Sequence, residues 1–235
     1  MTNARAVLLD VEGTTTAIDF VAGTLFPIAR RELPAFAAAH EHDPSLAEDW
    51  AAVRRATATR IGLREERISL RHMVETLLGW MDEDRKETAL KSIQGRIWER
   101  AYGSGALRSH VYPDVAPALR RWRAAGIEAH VYSSGSALAQ ELLFRHTIEG
   151  DLRPLLGRLF DTTVGGKREA ESYRRIAAAL AVAPAGIVFL SDSVAELDAA
   201  REAGLRTTRI VRAGTAVDPE SDHAMAATFD EVLLD

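Results

Sequence analysis

The apolar positions of this chain fall into two rhythms. Residues 6–9 (Ala6, Val7, Leu8 and Leu9) are an unbroken apolar run, the pattern of a strand buried on both faces. Similar runs recur at 127–132, 187–190 and 207–211, and between them 115–125, 137–146, 169–180 and 194–203 carry helical patterns. Asp114 stands where an N-cap belongs, Pro117 lies in the first turn that follows, and Gly126 and Gly204 mark helix ends. Residues 155–160 lead to Asp161, 162–164 read as a short strand, and 230–234 read as a short terminal helix.

Between the first strand and this alternating region the rhythm is helical throughout. Residues 18–36 carry Phe20, Leu25, Phe26, Ile28, Leu33 and Phe36, with Pro27 and Pro34 expected to interrupt the helix. Residues 46–62 and 69–80 follow, the second with Leu70, Met73, Val74, Leu77 and Leu78 on one stripe. A further helix is expected from Asp82 to near Gly103, burying Leu90, Ile93, Ile97 and Trp98. Strands alternating with helices call for a parallel sheet covered on both faces. The predicted fold is therefore α/β, a Rossmann-like parallel-sheet core made of 1–16 and 108–235, with an all-helical cap, 17–107, inserted after the first strand.

Composition narrows the function classes. The chain has 235 residues, 47% of them apolar and 27% charged, enough apolar material for a real core. A net charge of -5 argues against a sequence-independent nucleic-acid binder. No stretch has the length and apolarity of a membrane span, and the first residues lack a signal-peptide pattern. With no cysteine, disulfides, thiolate metal sites and thiol nucleophiles drop out together. A cytoplasmic enzyme without redox chemistry of its own fits these bounds. The seven histidines form no His-x-x-x-His pair, which argues against a zinc hydrolase. Gly103-Ser104-Gly105 follows no strand and lacks a third glycine, so a dinucleotide site is rejected.

The candidate chemistry lies at strand ends. Asp10 and Glu12 follow the first strand, Ser133 and Ser134 the second, Lys167 sits behind Gly165-Gly166, and Asp192 follows the strand at 187–190. Parallel strands share a direction, so these groups converge beyond one edge of the sheet, where open α/β sheets bind ligands. Taken singly each has a plain structural role, as strand terminator, helix cap or solvated charge. Taken together, carboxylates without thiols suit a hard cation such as Mg²⁺. Serine hydroxyls before a helix suit phosphate oxygens, and a lysine suits the remaining negative charge. A carboxylate in such a site can attack phosphorus and split hydrolysis into two easier steps.

The order of these motifs resembles the haloacid dehalogenase superfamily of phosphohydrolases, with Glu12 where the second Asp of the first pair is usual. That departure, within Leu9-Asp10-Val11-Glu12-Gly13-Thr14-Thr15, is similar to the enolase-phosphatase (acireductone synthase) family of methionine salvage. The likeness continues through Leu25-Phe26-Pro27, Leu90-Lys91-Ser92-Ile93-Gln94-Gly95, Tyr132-Ser133-Ser134-Gly135-Ser136, Phe160-Asp161-Thr162 to Lys167, and Glu171-Ser172-Tyr173-Arg174. The resemblance implies a haloacid dehalogenase-type core and a small phosphorylated diketone, 2,3-diketo-5-methylthiopentyl 1-phosphate, enolised and then dephosphorylated to the acireductone 1,2-dihydroxy-3-keto-5-methylthiopentene. It implies Asp10 as nucleophile and Mg²⁺ ligand, Glu12 contributing to the metal site through its backbone carbonyl, and Asp192 completing that site. Ser133 and Ser134 would hold the phosphate, Lys167 would neutralise it, and Glu196 would support Asp192. It also implies a monomer. The position of Glu12 suggests it as the acid for the leaving oxygen and as the enolising base.

The cap would close over the thioether end of the substrate. Trp98 and Tyr102, a helical turn apart, are candidate contacts there, with core packing the simpler role for Trp98. Two other readings remain at this stage. One is a capped Mg²⁺-dependent phosphatase for another small ester. The other is a non-catalytic signalling module switched by phospho-aspartate, against which the insert of roughly ninety residues argues, since βα loops usually run two to six residues.

Overall fold

The computed structural model describes residues 4–214 and 221–235. The chain forms two compact units, Met1–Phe20 with Arg108–Asp235, and Val21–Leu107.

The first unit is built on a parallel sheet of β1 (Ala6–Leu9), β2 (Glu128–Tyr132), β3 (Leu156–Phe160), β4 (Ile187–Ser191), β5 (Arg206–Ile210) and β6 (Ala224–Ala226), in the order β3-β2-β1-β4-β5-β6. Leu9 pairs with Val131 on one side and Leu190 on the other, so β1 is central. Its apolar run follows from that place. Val7 and Leu9 enter one core with Val131, Val188 and Leu190, while Ala6 and Leu8 enter a second core with Tyr132 and Phe189. Alternate side chains point to opposite faces, and here both faces are covered. On the first face lie α6 (Val115–Ala124) and α7 (Ala137–Arg145); on the second lie α8 (Ala170–Leu180) and α9 (Val194–Glu202). The strand order reverses beside β1, which opens a crevice at the carboxyl ends of β1, β2 and β4.

Three expectations are corrected in this unit, and one strand is added. The third strand is Leu156–Phe160, and 162–164 is a turn, in which Asp161 Oδ1 accepts from Thr163 N at 2.9 Å. Residues 230–234 are not helical; Phe229 and Val232 pack into the first core as irregular chain, and Ala4 N donates to Leu234 O at 2.8 Å. Strand β6 carries only Ala224, Met225 and Ala226, too short for its pattern to be read. Asp114 precedes α6 but its side chain caps nothing, being engaged by Arg212 and by Phe229 N.

The second unit is helical among its described residues. A single turn of α1 (Ile18–Phe20), still in the first unit, leads to a π-helical stretch, Val21–Leu25, and then to α2 (Phe26–His40), α3 (Ala47–Ile61), α4 (Leu70–Asp82) and α5 (Thr88–Gly103). Their own core gathers Leu33, Phe36, Trp50, Met73, Leu77 and Ile93. Helix α4 starts with a reciprocal cap in which His72 N donates to Ser69 Oγ and Ser69 N to His72 Nδ1. It runs on through Asp82, so the next helix begins at Thr88 rather than at Asp82. Pro34 does not break α2. It lies on the exposed face of the helix, and burial of Ala29, Leu33, Phe36 and Ala37 on the opposite face offsets the roughly 3 kcal/mol such a residue costs. Trp98 is buried, donates from Nε1 to Leu25 O at 2.8 Å and meets Phe26 edge-on. Tyr102 is buried too.

Candidate active site

Asp10 is the first residue beyond β1, buried at 5% exposure. Its Oδ1 accepts from Val11 N at 2.7 Å and from Lys167 Nζ at 2.5 Å. Its Oδ2 accepts from Ser191 Oγ at 2.7 Å. The carboxylate is therefore fixed on both oxygens by groups from three separated parts of the chain.

Lys167 reaches Asp10 from the loop between β3 and α8. Its main-chain oxygen accepts from the buried Tyr173 hydroxyl at 2.6 Å, which ties the loop to the helix behind it. The ammonium also meets Glu196 Oε2 at 2.6 Å. Burial works against the charged form of Lys167, but the carboxylates of Asp10 and Glu196 outweigh it and hold the ammonium above its usual range. Glu196, in the first turn of α9, is pushed up to about 7 by burial and then by the charge of Asp10. Its carboxylate engages Lys167 and Ser191 Oγ rather than Asp192, so the expected support of Asp192 by Glu196 is not what the geometry shows.

Asp192 follows β4. Burial, with the charge of Asp10 second, pushes it up to about 6. Its backbone N donates to Thr14 Oγ1 at 3.0 Å, which joins the loop after β4 to the loop after β1. Gly13 makes this approach possible. Its φ of +71° favours glycine, and a Cβ there would stand 2.2 Å from Asp192 Oδ2.

Ser133 follows β2, its N–H donating to Phe160 O and its hydroxyl accepting from Gly135 N, both at 3.1 Å. Behind the serines, Ser136 caps α7 by accepting from Ala139 N at 3.3 Å. Gln140 holds the loop down by donating to Gly135 O and Phe160 O. Thus Ser133 and Ser134 lie just ahead of a helix N-terminus, where N–H groups and the helix dipole favour an anion.

The structure brings Asp10, Glu12, Ser133, Ser134, Lys167, Asp192 and Glu196 to the walls of one polar cavity of about 210 Å³. Four acidic residues share those walls with one lysine, a surplus of negative charge that suits a hard cation with oxygen ligands. Among the described residues no three acidic or histidine side chains are arranged to hold a metal. A cation in this cavity would thus take few side-chain ligands and complete its shell from backbone, water or phosphate oxygens, as Mg²⁺ commonly does. Sequence reading missed Ser191, Thr14 and Gln140. Ser191 adjoins Asp192 and could have been suspected; the other two are legible only from their hydrogen bonds.

Comparison with known proteins gives the family. A family model described as haloacid dehalogenase-like hydrolase matches residues 4–204. The chain is 56% identical to an "Enolase-phosphatase E1" of Sorangium cellulosum, over 97% of both chains. It is 46% identical to a protein of that name from Pseudomonas aeruginosa, over 98% of this chain and 99% of the relative. Among solved structures, the UTR4 protein of Saccharomyces cerevisiae superposes with a TM-score of 0.82 at 28% identity, covering 98% of this chain and all of the other. At this identity, over essentially the full length of its relatives, the chain belongs to the enolase-phosphatase E1 family of haloacid dehalogenase-like hydrolases.

Proposed function

We propose that this enzyme enolises 2,3-diketo-5-methylthiopentyl 1-phosphate and then hydrolyses its phosphate ester to give the acireductone of methionine salvage. The observation that carries the chemistry is the position of Asp10, buried at the end of the central strand with Lys167 on one oxygen and Ser191 on the other. A carboxylate so fixed presents its oxygen to phosphorus without a search over rotamers. Ser133 and Ser134 receive the phosphate oxygens, and Lys167 offsets their charge. Asp10, Asp192 and the backbone carbonyl of Glu12 would hold Mg²⁺. When bound, the cation would supply positive charge that offsets repulsion between the phosphate and Asp10.

In the first step a base removes a proton from the carbon beside a substrate carbonyl, and the carbonyl oxygen takes up a proton. Glu12 is our candidate for that base. In the second, Asp10 attacks phosphorus and the bond to the C1 oxygen breaks, with a proton delivered to that oxygen from Glu12. Water then cleaves the aspartyl-phosphate, releasing phosphate and restoring Asp10. All these groups belong to one chain, which supports a monomer as the working unit. A soluble metabolite as substrate supports a cytoplasmic location. No helix among the described residues is long and apolar enough to cross a membrane.

The test follows the diketone phosphate with purified protein and Mg²⁺, recording ultraviolet absorbance and released phosphate together. Conjugated enol before or with phosphate is expected. Phosphate release from many esters, with no enol from the diketone, would leave a generic phosphatase and overturn the enolase half.

A further inference from the structure

We propose that Arg212 is a positioning residue that sets the separation of the two acidic loops by acting through Thr14 on Asp192. The proposal rests on the assignment of Asp10 and Asp192 to a Mg²⁺ site made above.

Arg212 lies just beyond β5 and is 4% exposed. Its guanidinium is fully engaged. Nε and Nη2 donate to the carbonyl of Thr14 at 3.0 and 2.6 Å. Nη1 donates to both oxygens of Asp114, at 2.9 and 2.8 Å, and to Ala227 O at 3.2 Å. The rings of Tyr112 and Phe229 lie 4.1 and 4.9 Å from its central carbon, so the plane is held as well as the hydrogen bonds. Asp114 is anchored in turn by Phe229 N at 2.6 Å.

The carbonyl that Arg212 grips belongs to the residue whose hydroxyl takes Asp192 N. Thr14 therefore has its main chain fixed from one side and fixes the loop after β4 from the other. Immediately before it, Gly13 lies against the Asp192 carboxylate and Glu12 lines the cavity. The turn itself has its own bonds, Thr14 N to Val11 O and Gly13 N to Thr16 O. These shape the turn but do not link it to β5. A buried, fully satisfied arginine at this point costs desolvation. What the arrangement secures is a fixed distance between the loops that carry Asp10 and Asp192. Groups that orient metal ligands from behind are worth about 10–100-fold in metal affinity or activity.

The experiment uses the full chain and Mg²⁺ itself, titrated calorimetrically without substrate, for the parent, Arg212→Lys, Thr14→Val and the double variant. Lysine keeps the charge but not the fork that spans Thr14 O and Asp114. Arg212→Lys should weaken Mg²⁺ binding by about tenfold or more and lower kcat, with a smaller change in KM because the serine loop is untouched. Thr14→Val should weaken Mg²⁺ similarly, and the double variant should be little worse than Thr14→Val alone, since both act through one link. Arg71→Ala, which removes an exposed ion pair to Glu75 on α4, should leave both quantities unchanged.

Additive effects in the double variant would overturn the relay, as would a folded Arg212→Lys protein that binds Mg²⁺ within twofold of the parent. If Arg212→Lys does not fold, a Thr14→Val protein with parental Mg²⁺ affinity overturns it equally. A parent that binds Mg²⁺ but leaves the diketone untouched would sink the functional reading and not the relay. A parent with no Mg²⁺ binding would sink both.

Discussion

Lys167 and Glu196 meet at 2.6 Å in a cavity where the lysine side chain is 9% exposed and the glutamate 15%. The ammonium stands between Glu196 and Asp10, so it is the positive member of a buried triad. Replacing Lys167 by Met should leave two carboxylates facing each other with little water. Breaking a buried pair from one side costs about 3–5 kcal/mol, and on the proposed mechanism Asp10 would lose the group that balances phosphate. We expect phosphatase turnover to fall by at least about a hundredfold, and the melting temperature to fall with it. Lys167→Met with parental turnover of a generic phosphate ester would show that the ammonium is not used in the chemistry.

Glu12 gives a sharper test of the two-step reading. Glu12→Gln keeps the size of the side chain and its backbone carbonyl but removes its acid–base capacity. Both enol formation and phosphate release should slow, by about 10²–10⁴-fold for a true general acid–base. Stopped-flow absorbance and a phosphate assay measure the two separately. Both half-reactions at near-parental rate would end the assignment.

Gly13 and Gly62 form a matched pair for mutation. Both have positive φ, +71° and +69°, but a Cβ at Gly62 meets nothing within 4 Å while one at Gly13 runs into Asp192. Gly62→Ala should cost only the left-handed backbone penalty, about 1 kcal/mol. Gly13→Ala pays that and displaces Asp192, so it should also lose activity and Mg²⁺ binding. Thermal melts and calorimetry on both variants separate the two effects. A Gly13→Ala protein that behaves like Gly62→Ala would mean that the Asp192 carboxylate moves aside freely.

His130 supplies a pH dependence that lies away from the cavity. Its ring is 3% exposed, and its Nδ1 accepts from Arg158 N at 2.9 Å beside the irregular pairing of β2 with β3. Burial, opposed by Glu128 and reinforced by Arg158, lowers its pKa below the ordinary 6.5. The unfolded chain thus binds the proton more readily than the folded one. The stability that the neutral ring contributes is complete above about pH 6.5 and is lost as pH falls through the folded value. In His130→Gln this dependence should vanish, so the gap in melting temperature between parent and variant should narrow from pH 8 to pH 5. A constant gap across that range would contradict it.

Much of the candidate site was legible because parallel strands make distant residues converge. Asp10, Ser133 and Asp192 each end an apolar run, and one topological rule places them at a common edge. Lys167 was legible only in combination with them, since a lysine behind two glycines is by itself a solvated charge. Arg212 and Thr14 were not, because nothing local marks a carbonyl as the target of a guanidinium 198 residues away. Glu196 was seen but given the wrong neighbour, since a helix pattern tells which turn a residue occupies and not which side chain it meets. Pro34 misled for a related reason. Its local cost is real, but it falls on an exposed face whose opposite side is buried. The terminal segment failed as a helix because Phe229 and Val232 find burial as irregular chain, an outcome decided by the core and not by periodicity.

The placement of β1 also bears on how the molecule comes together in time. Ala6 is paired with Glu128 on one side and Ile187 on the other. During synthesis β1, which ends at Asp10, therefore emerges before both of its neighbours and waits for them. The second becomes available only after the helical unit, β2 and β3 have all been made. Contacts so distant along the chain slow folding and leave an apolar strand exposed meanwhile. The helical unit that follows β1 has its own core and can condense from contiguous residues in that interval. The polar cavity is then completed late, with the docking of β4 that brings Ser191 and Asp192 to Asp10 and the loop behind it.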